Sequence, residues 1–163
     1  MSHMIATFFG IGHLRPAPGT WGSLAALPVA LLLHLLVGPW GLLVATALVF
    51  FTGLWATVME THGADDKDPG YIVIDEVAGQ WVALLPVSFG AAQAGADIAA
   101  LWPGFVAAFL LFRLFDIWKP GPIGVIDRRG DALGVMLDDI VAGVFAAICV
   151  GVLAGLWHGV LGL

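Results

Sequence analysis

The stretch IVAGVFAAICVGVLAGLWHGVLGL, residues 140–163, contains no Asp, Glu, Lys or Arg. A helix needs roughly 20 apolar residues to cross the hydrocarbon core of a bilayer, and this run is long enough. The same character extends along the chain. Of its 163 residues 60% are apolar and 11% charged, and the mean hydropathy is +0.99. Soluble domains hold roughly 45–50% apolar residues, so the composition predicts a single membrane-embedded domain. The opening MSHM reads as a cloning remnant, so the domain is taken as 4–163 with residues 1–3 set aside. No cleavable signal peptide is expected, because the breaker-rich RPAPGTWGS precedes the first long apolar block.

Working back from that helix, the spacing of apolar blocks and breakers predicts an all-α polytopic bundle. It has about four to five transmembrane helices and a short interfacial or re-entrant N-terminal segment. Residues 4–12 are apolar but too short to span. Pro16, Pro18, Gly19 and Gly22 predict irregular chain over 15–22. A first helix is expected over 23–37 and a second over 40–59, joined as a hairpin by Gly38-Pro39. A polar loop over 60–70 leads to a third helix at 75–89, and a small-residue connection over 90–97 leads to a fourth at 98–115. The longest hydrophilic segment, 116–139, precedes the final helix.

With five crossings, the N-terminal segment, the 60–76 loop and the 113–139 region share one face of the bilayer. All six cations (Arg15, Lys67, Arg113, Lys119, Arg128, Arg129) then lie on or near that face, which the positive-inside rule makes cytoplasmic. Eleven of the twelve acids lie there too, Asp97 being the exception. A plain anchor needs only the cations, so the coincident acids predict a polar site at that surface. The net charge of −6 and the lack of any basic run argue against a nucleic-acid partner and favour a cation. Cys149 is the only cysteine, which rules out an internal disulfide or a cysteine-rich metal site.

The chemistry concentrates in a repeated motif. DEVAG at 75–79 and DIVAG at 139–143 are both Asp-x-Val-Ala-Gly. On a helix the fourth residue onward shares a face, so Gly79 and Gly143 lie one turn below Asp75 and Asp139. Small residues there let membrane helices approach closely. Each Asp has an acidic neighbour, giving the pairs Asp75-Glu76 and Asp138-Asp139. Two such pairs brought together need a counter-charge, and carboxylate-only ligation favours a hard cation such as Mg2+. The plainer reading makes these acids helix N-caps.

FRLFDIWKPGPI, 112–123, puts Arg113 and Asp116 three apart on one helical face, with Lys119 just before Pro120. An interfacial ion pair beside a Trp118 anchor explains it; so does a phosphate-binding role for Arg113 and Lys119 with Asp116 on a metal. RPAPGTWGS offers Arg15, the hydroxyls of Thr20 and Ser23, and backbone N–H groups as an anion cradle, although such loops are most often simple turns. His13, His34, His62 and His158 are scattered and are assigned to no metal. His34 and His158 are expected near the opposite face, in packing or interfacial roles. ADDKD, 64–68, is expected to be a solvated loop, since calcium-loop spacing in Asp65, Asp66 and Asp68 lacks the required Gly and Glu.

Taken together, GIGHLRPAPGTWGSL (10–24), IVIDEVAGQW (72–81), DIWKPGPIGVID (116–127) and GVMLDDIVAG (134–143) resemble the phosphatidylglycerophosphatase A family over about residues 6–155. The resemblance implies a small Mg2+-dependent lipid phosphatase of the bacterial inner membrane, multi-pass, with its site at the cytoplasmic face. Its substrate would be phosphatidylglycerophosphate and its products phosphatidylglycerol, a precursor of cardiolipin, and inorganic phosphate. The metal would be held by some of Asp75, Glu76, Asp116, Asp138 and Asp139, and catalysis would rest on Asp75, Glu76, Asp116, Lys119 and Asp139. Arg15, Thr20, Ser23, Arg113, Lys119 and Arg128 would bind the substrate phosphate. Direct attack by water is preferred, because no histidine base accompanies a hydroxyl. Assembly as a homo-oligomer is open to such a bundle.

The Ser-Gly-His block of acid-phosphatase-like lipid phosphatases is absent, as is the Asp-Gly-x-x-Ala-Arg motif of CDP-alcohol phosphotransferases. The non-enzyme alternative is a small cation transporter or channel. It predicts carboxylates at mid-bilayer depth, whereas the motifs place them at helix ends.

Overall fold

The computed structural model describes residues 1–66 and 68–161, except for the side chains of 158–161; the expectations for Lys67 and His158 lie outside the described residues. The fold is all-helical among these residues. α1 spans Ser2–Ala6 and is followed by a 3-10 turn, Ile11–His13. α2 spans Pro18–Thr61, α3 Ile74–Ala94 and α4 Trp102–Trp118. α5 spans Pro122–Asp127 and α6 Ala132–Leu161.

α2 is folded in two. At Gly38 the backbone takes φ 70° and ψ −173°, which needs a residue without Cβ, and Pro39 then restarts the helix. The first arm, 18–37, runs alongside α3 in the same direction: Trp81 Nε1 donates to Ala26 O at 2.9 Å, and His34 Nδ1 lies 2.7 Å from Ser88 Oγ. The second arm, 39–61, runs back. Trp40 meets Phe89 edge to face at 5.0 Å, and Gly53 lies against Ile74 and Met136. The expected hairpin is therefore present. α4 is antiparallel to α3, with Gly104 against Val87 at one end and Phe112 against Gly79 at the other.

α6 runs parallel to α3, and the two cross at Gly79 and Gly143. A Cβ on Gly79 would stand 2.6 Å from both Asp139 O and Phe112 Cε2, and a Cβ on Gly143 would collide with Gly79 O. Only glycine permits this approach, as the repeated motif predicts. The first arm of α2, α3 and α6 thus start at one end of the bundle, and the second arm and α4 finish there. α1 and the following turn close over that end, where Val73 N donates to Ala6 O at 2.9 Å and Gly12 fits against Tyr71 O. Ser2 and His3, set aside in the sequence reading, hydrogen-bond Glu60.

Among the described residues three stretches are long and apolar enough to cross a membrane: Pro18–Thr61, Ile98–Trp118 and Ala132–Trp157. Large side chains such as Leu36, Leu48, Phe51, Leu110 and Ile148 are exposed on them, as lipid-facing residues are. The core is dominated by Ala, with Val and Ile next, and Phe112 and Met136 are completely buried.

Helix boundaries depart from expectation in several places. The segment 15–22 is not irregular throughout, because α2 already begins at Pro18, a residue favoured in a first turn. Gly19 and Gly22 lie inside the helix, where a Cβ would strike Glu76 and Val73, so they serve close approach rather than breaking. α3 continues to Ala94, and α4 proper begins at Trp102 after a 3-10 turn, Ile98–Leu101. α6 begins at Ala132, not 140. Asp131 Oδ1 caps it by accepting from Gly134 N at 2.8 Å, and Ala132 and Met136 bury one face of the added turns. Asp138 and Asp139 therefore sit two turns inside α6, so the N-cap reading fails for them.

Replacing Gly143 with valine would push Cβ into a backbone carbonyl that can retreat only by parting α3 from α6. We expect a loss of at least about 1–3 kcal/mol in thermal unfolding in detergent. Gly90→Ala, with nothing within 4 Å of the new Cβ, should stay within about 0.5 kcal/mol.

Candidate active site

α3 opens with buried Ile74, so Asp75 and Glu76 fall in its first turn at the closed end of the bundle. Asp75 Oδ1 accepts from Glu76 N at 3.0 Å. The glycine crossing brings Asp139 of α6 beside them. Oxygens of Asp75, Glu76 and Asp139 all lie within 4.8 Å of one another, and Asp75 and Asp139 are buried. Three ionised carboxylates at that spacing repel strongly in a weakly polar setting. Glu76 Oε2, Asp138 Oδ1 and Asp139 Oδ2 are buried with no hydrogen-bond donor facing them. An oxygen-only set with orphaned, buried lone pairs fits a hard divalent cation.

The triad lines a cavity of about 280 Å³. Asp68, Asp116 and Asp138 also face it, making, among the described residues, six carboxylates against two cations, Arg113 and Lys119. The remaining wall is Ala17, Pro18, Gly19, Gly70, Ile72 and Val135. Both cations are engaged. Arg113 Nη1 pairs with Asp116 Oδ2 at 2.5 Å, the expected three-residue spacing, and stands 3.9 Å from Glu76 Oε1. Lys119 ends α4 in the left-handed region at φ 49°, which turns its ammonium toward α5 and α6. It donates to Asp127 Oδ1 at 2.5 Å and Asp138 Oδ2 at 2.6 Å. Burial alone would lower the Lys119 pKa; the two carboxylates outweigh it and hold the ammonium above the usual lysine range. Burial pushes Asp68 up, only partly offset by Lys119.

All five expected metal ligands, Asp75, Glu76, Asp116, Asp138 and Asp139, line this one cavity. Of the expected phosphate ligands only Arg113 and Lys119 do. Arg15 and Arg128 are exposed outside it, Thr20 is half-buried outside it, and Ser23 is fully buried with its hydroxyl donating to Gly19 O. Ser23 is occupied in this way because the loop expected there is helix. Three residues escaped the sequence reading. Asp68 belongs to the stretch taken as solvated, yet lines the cavity. Asp127 reaches Lys119 only because α5 folds back, although its position eight residues on at the close of the KPGPIGVID block is a faint signal. Gln80, one turn after Glu76, is completely buried. No carboxylate follows Glu76 on α3 or Asp139 on α6, so the acids end at the bundle's mouth and mark no path through it.

Over residues 4–154 the sequence matches the family model of phosphatidylglycerophosphatase A. The chain belongs to that family. It is 38% identical over 149 residues to phosphatidylglycerophosphatase A of Haemophilus influenzae, covering 91% of this chain and 85% of the relative. It is 39% identical over 150 residues to the Escherichia coli protein of the same name, covering 89% and 78%. A Bacteroides thetaiotaomicron protein whose name proposes it as a phosphatidylinositol-3-phosphatase is 36% identical over 153 residues, with 91% of each chain covered. No solved structure matches significantly. Family membership and the expected all-helical, membrane-type fold thus agree with the sequence reading.

Removing the Lys119 ammonium strands Asp138. Lys119→Met should cost about 1–3 kcal/mol in thermal unfolding, below the full penalty for a buried pair because Lys119 is partly exposed. Adding Asp138→Asn should recover most of that loss, and additive losses would show that the two groups do not interact.

Proposed function

We propose that this chain is a Mg2+-dependent lipid phosphatase that hydrolyses phosphatidylglycerophosphate to phosphatidylglycerol and inorganic phosphate, in bacterial phospholipid biosynthesis. The observation that carries the proposal is the convergence of Asp75, Glu76 and Asp139 within 4.8 Å in a cavity that also holds Lys119 and Arg113. The names of the Haemophilus and Escherichia relatives support the substrate, and the Bacteroides name supports the wider class of lipid phosphomonoesters.

In this reading Asp75, Glu76 and Asp139 hold the ion, with Asp116 or Asp138 completing its surroundings. Held by these residues, Mg2+ would supply charge neutralisation for the phosphate and a more acidic attacking water. Lys119 Nζ and Arg113 then exchange part of their carboxylate contacts for phosphoryl oxygens and stabilise the charge that builds on them. A water oxygen bonds to phosphorus as the P–O bond to the glycerol oxygen breaks, and a proton given up by the water ends on that glycerol oxygen, which leaves as the lipid hydroxyl while inorganic phosphate remains. The apolar helices let the lipid stay in its leaflet while its headgroup enters the cavity from the side.

Five long helical runs, counting the two arms of α2 separately, support a multi-pass arrangement. Arg15, Arg113, Lys119, Arg128 and Arg129 all belong to segments at the site's end of the bundle, which supports a cytoplasmic orientation in the inner membrane.

Purified protein in detergent should release phosphate from phosphatidylglycerophosphate with Mg2+ and lose that activity in EDTA. Asp75→Asn and Asp139→Asn should each lower kcat by at least about a hundredfold, the order found when one preorganised electrostatic group is removed. Undiminished release in both variants would take the triad out of the reaction.

A further inference from the structure

Gln80 has no exposed surface, and neither Oε1 nor Nε2 of its amide meets a hydrogen-bond partner. A membrane helix has no water to satisfy such a group, so a glutamine held there needs partners from the protein itself or from a bound state of the site. It lies one turn after Glu76, and long helical side chains lean back toward the N-terminus, over the preceding turn. Glutamine four residues from an acid is a known hydrogen-bonding spacing on helices.

Two of the other orphaned groups at this end of the bundle are complementary to it. Glu76 Oε2 is a buried acceptor without a donor, and Arg113 Nε is a buried donor without an acceptor. Arg113 and Glu76 already face each other, at 3.9 Å between Nη1 and Oε1. One amide, offering one donor group and one acceptor, can satisfy both.

We infer that Gln80 is a positioning residue for Glu76: when a cation occupies the triad, Gln80 Nε2 donates to the Glu76 carboxylate while Gln80 Oε1 accepts from Arg113 Nε. One Glu76 oxygen is then fixed by the amide and the other is left to the ion. Hydrogen bonds to ligating carboxylates orient them in this way and set affinity for the metal. The inference rests on the cation reading proposed above.

The test is Mn2+ binding to purified protein, read as loss of the free-ion electron paramagnetic resonance signal, with no substrate present. Gln80→Met keeps length and removes both polar atoms. It should weaken Mn2+ binding by about 10- to 100-fold, the usual effect of losing an outer-shell partner. Combined with Glu76→Gln it should add little further loss, since it acts through that carboxylate. Should Gln80→Met fail to fold, Gln80→Asn, whose amide is one methylene short, is expected to show the same weakening. Mn2+ affinity unchanged from wild type, or additive losses in the double variant, would overturn the role of Gln80 alone. A wild-type protein that binds no Mn2+ would overturn the cation reading and this inference with it.

Discussion

The near-contact of two backbones where α3 crosses α6 governs the rest of this structure. Helices normally keep their axes about 8–10 Å apart because side chains stand between them. Here Gly79 and Gly143 face each other, and a single added methyl group on either would meet a carbonyl oxygen of the other helix. One turn nearer the bundle's mouth, that proximity becomes a chemical fact: Asp75 and Glu76 on one helix come within 4.8 Å of Asp139 on the other. In lipid there is no hydrophobic effect to press helices together, so close van der Waals contact between small residues supplies the association.

The same contact creates an electrostatic problem. Among the described residues six carboxylates share a small cavity with two cations, and each cation is partly committed to neighbouring acids, Arg113 to Asp116 and Lys119 to Asp138 and Asp127. These pairs hold some of the charge in check. They leave the triad of Asp75, Glu76 and Asp139 with a single long cation contact, Arg113 Nη1 at 3.9 Å from Glu76 Oε1, and with Glu76 Oε2 and Asp139 Oδ2 buried and unpartnered. In the proposed function, a divalent ion and then an anionic phosphate would balance such a site in sequence. The cluster's position at the mouth, with an apolar core of Leu84, Val87, Ala146 and Val150 beneath, suits a lipid headgroup better than a traversing ion.

How much of this could be read from the sequence depended on whether a feature was carried by local residues or by distant ones. The hairpin at Gly38-Pro39 and the crossing glycines were legible because each rests on a residue with one dominant physical use. The gathering of the five acidic candidates around one cavity was legible because charge is rare in so apolar a chain. The start of α2 was misread because proline and glycine suggest a break, whereas Pro18 opens the helix and Gly19 and Gly22 are there for Glu76 and Val73. The start of α6 was misread because the polar residues around 131–139 masked the buried spacing of Ala132 and Met136. Asp68 and Asp127 carry no local signal that separates them from surface acids; the return of a loop and of α5 brings them in. Ser23 and Thr20 illustrate the reverse, since hydroxyls that look available in a loop lie along a helix away from the cavity.

The account stands on one cation shared between two helices, and the most direct test is to locate it. Crystals of the protein grown with Mn2+, measured at the manganese absorption edge, should show an anomalous peak within coordination distance of Asp75, Glu76 and Asp139. A well-ordered triad with no peak, or a peak bound by acids of only one helix, would contradict the claim that the glycine crossing exists to assemble a metal site.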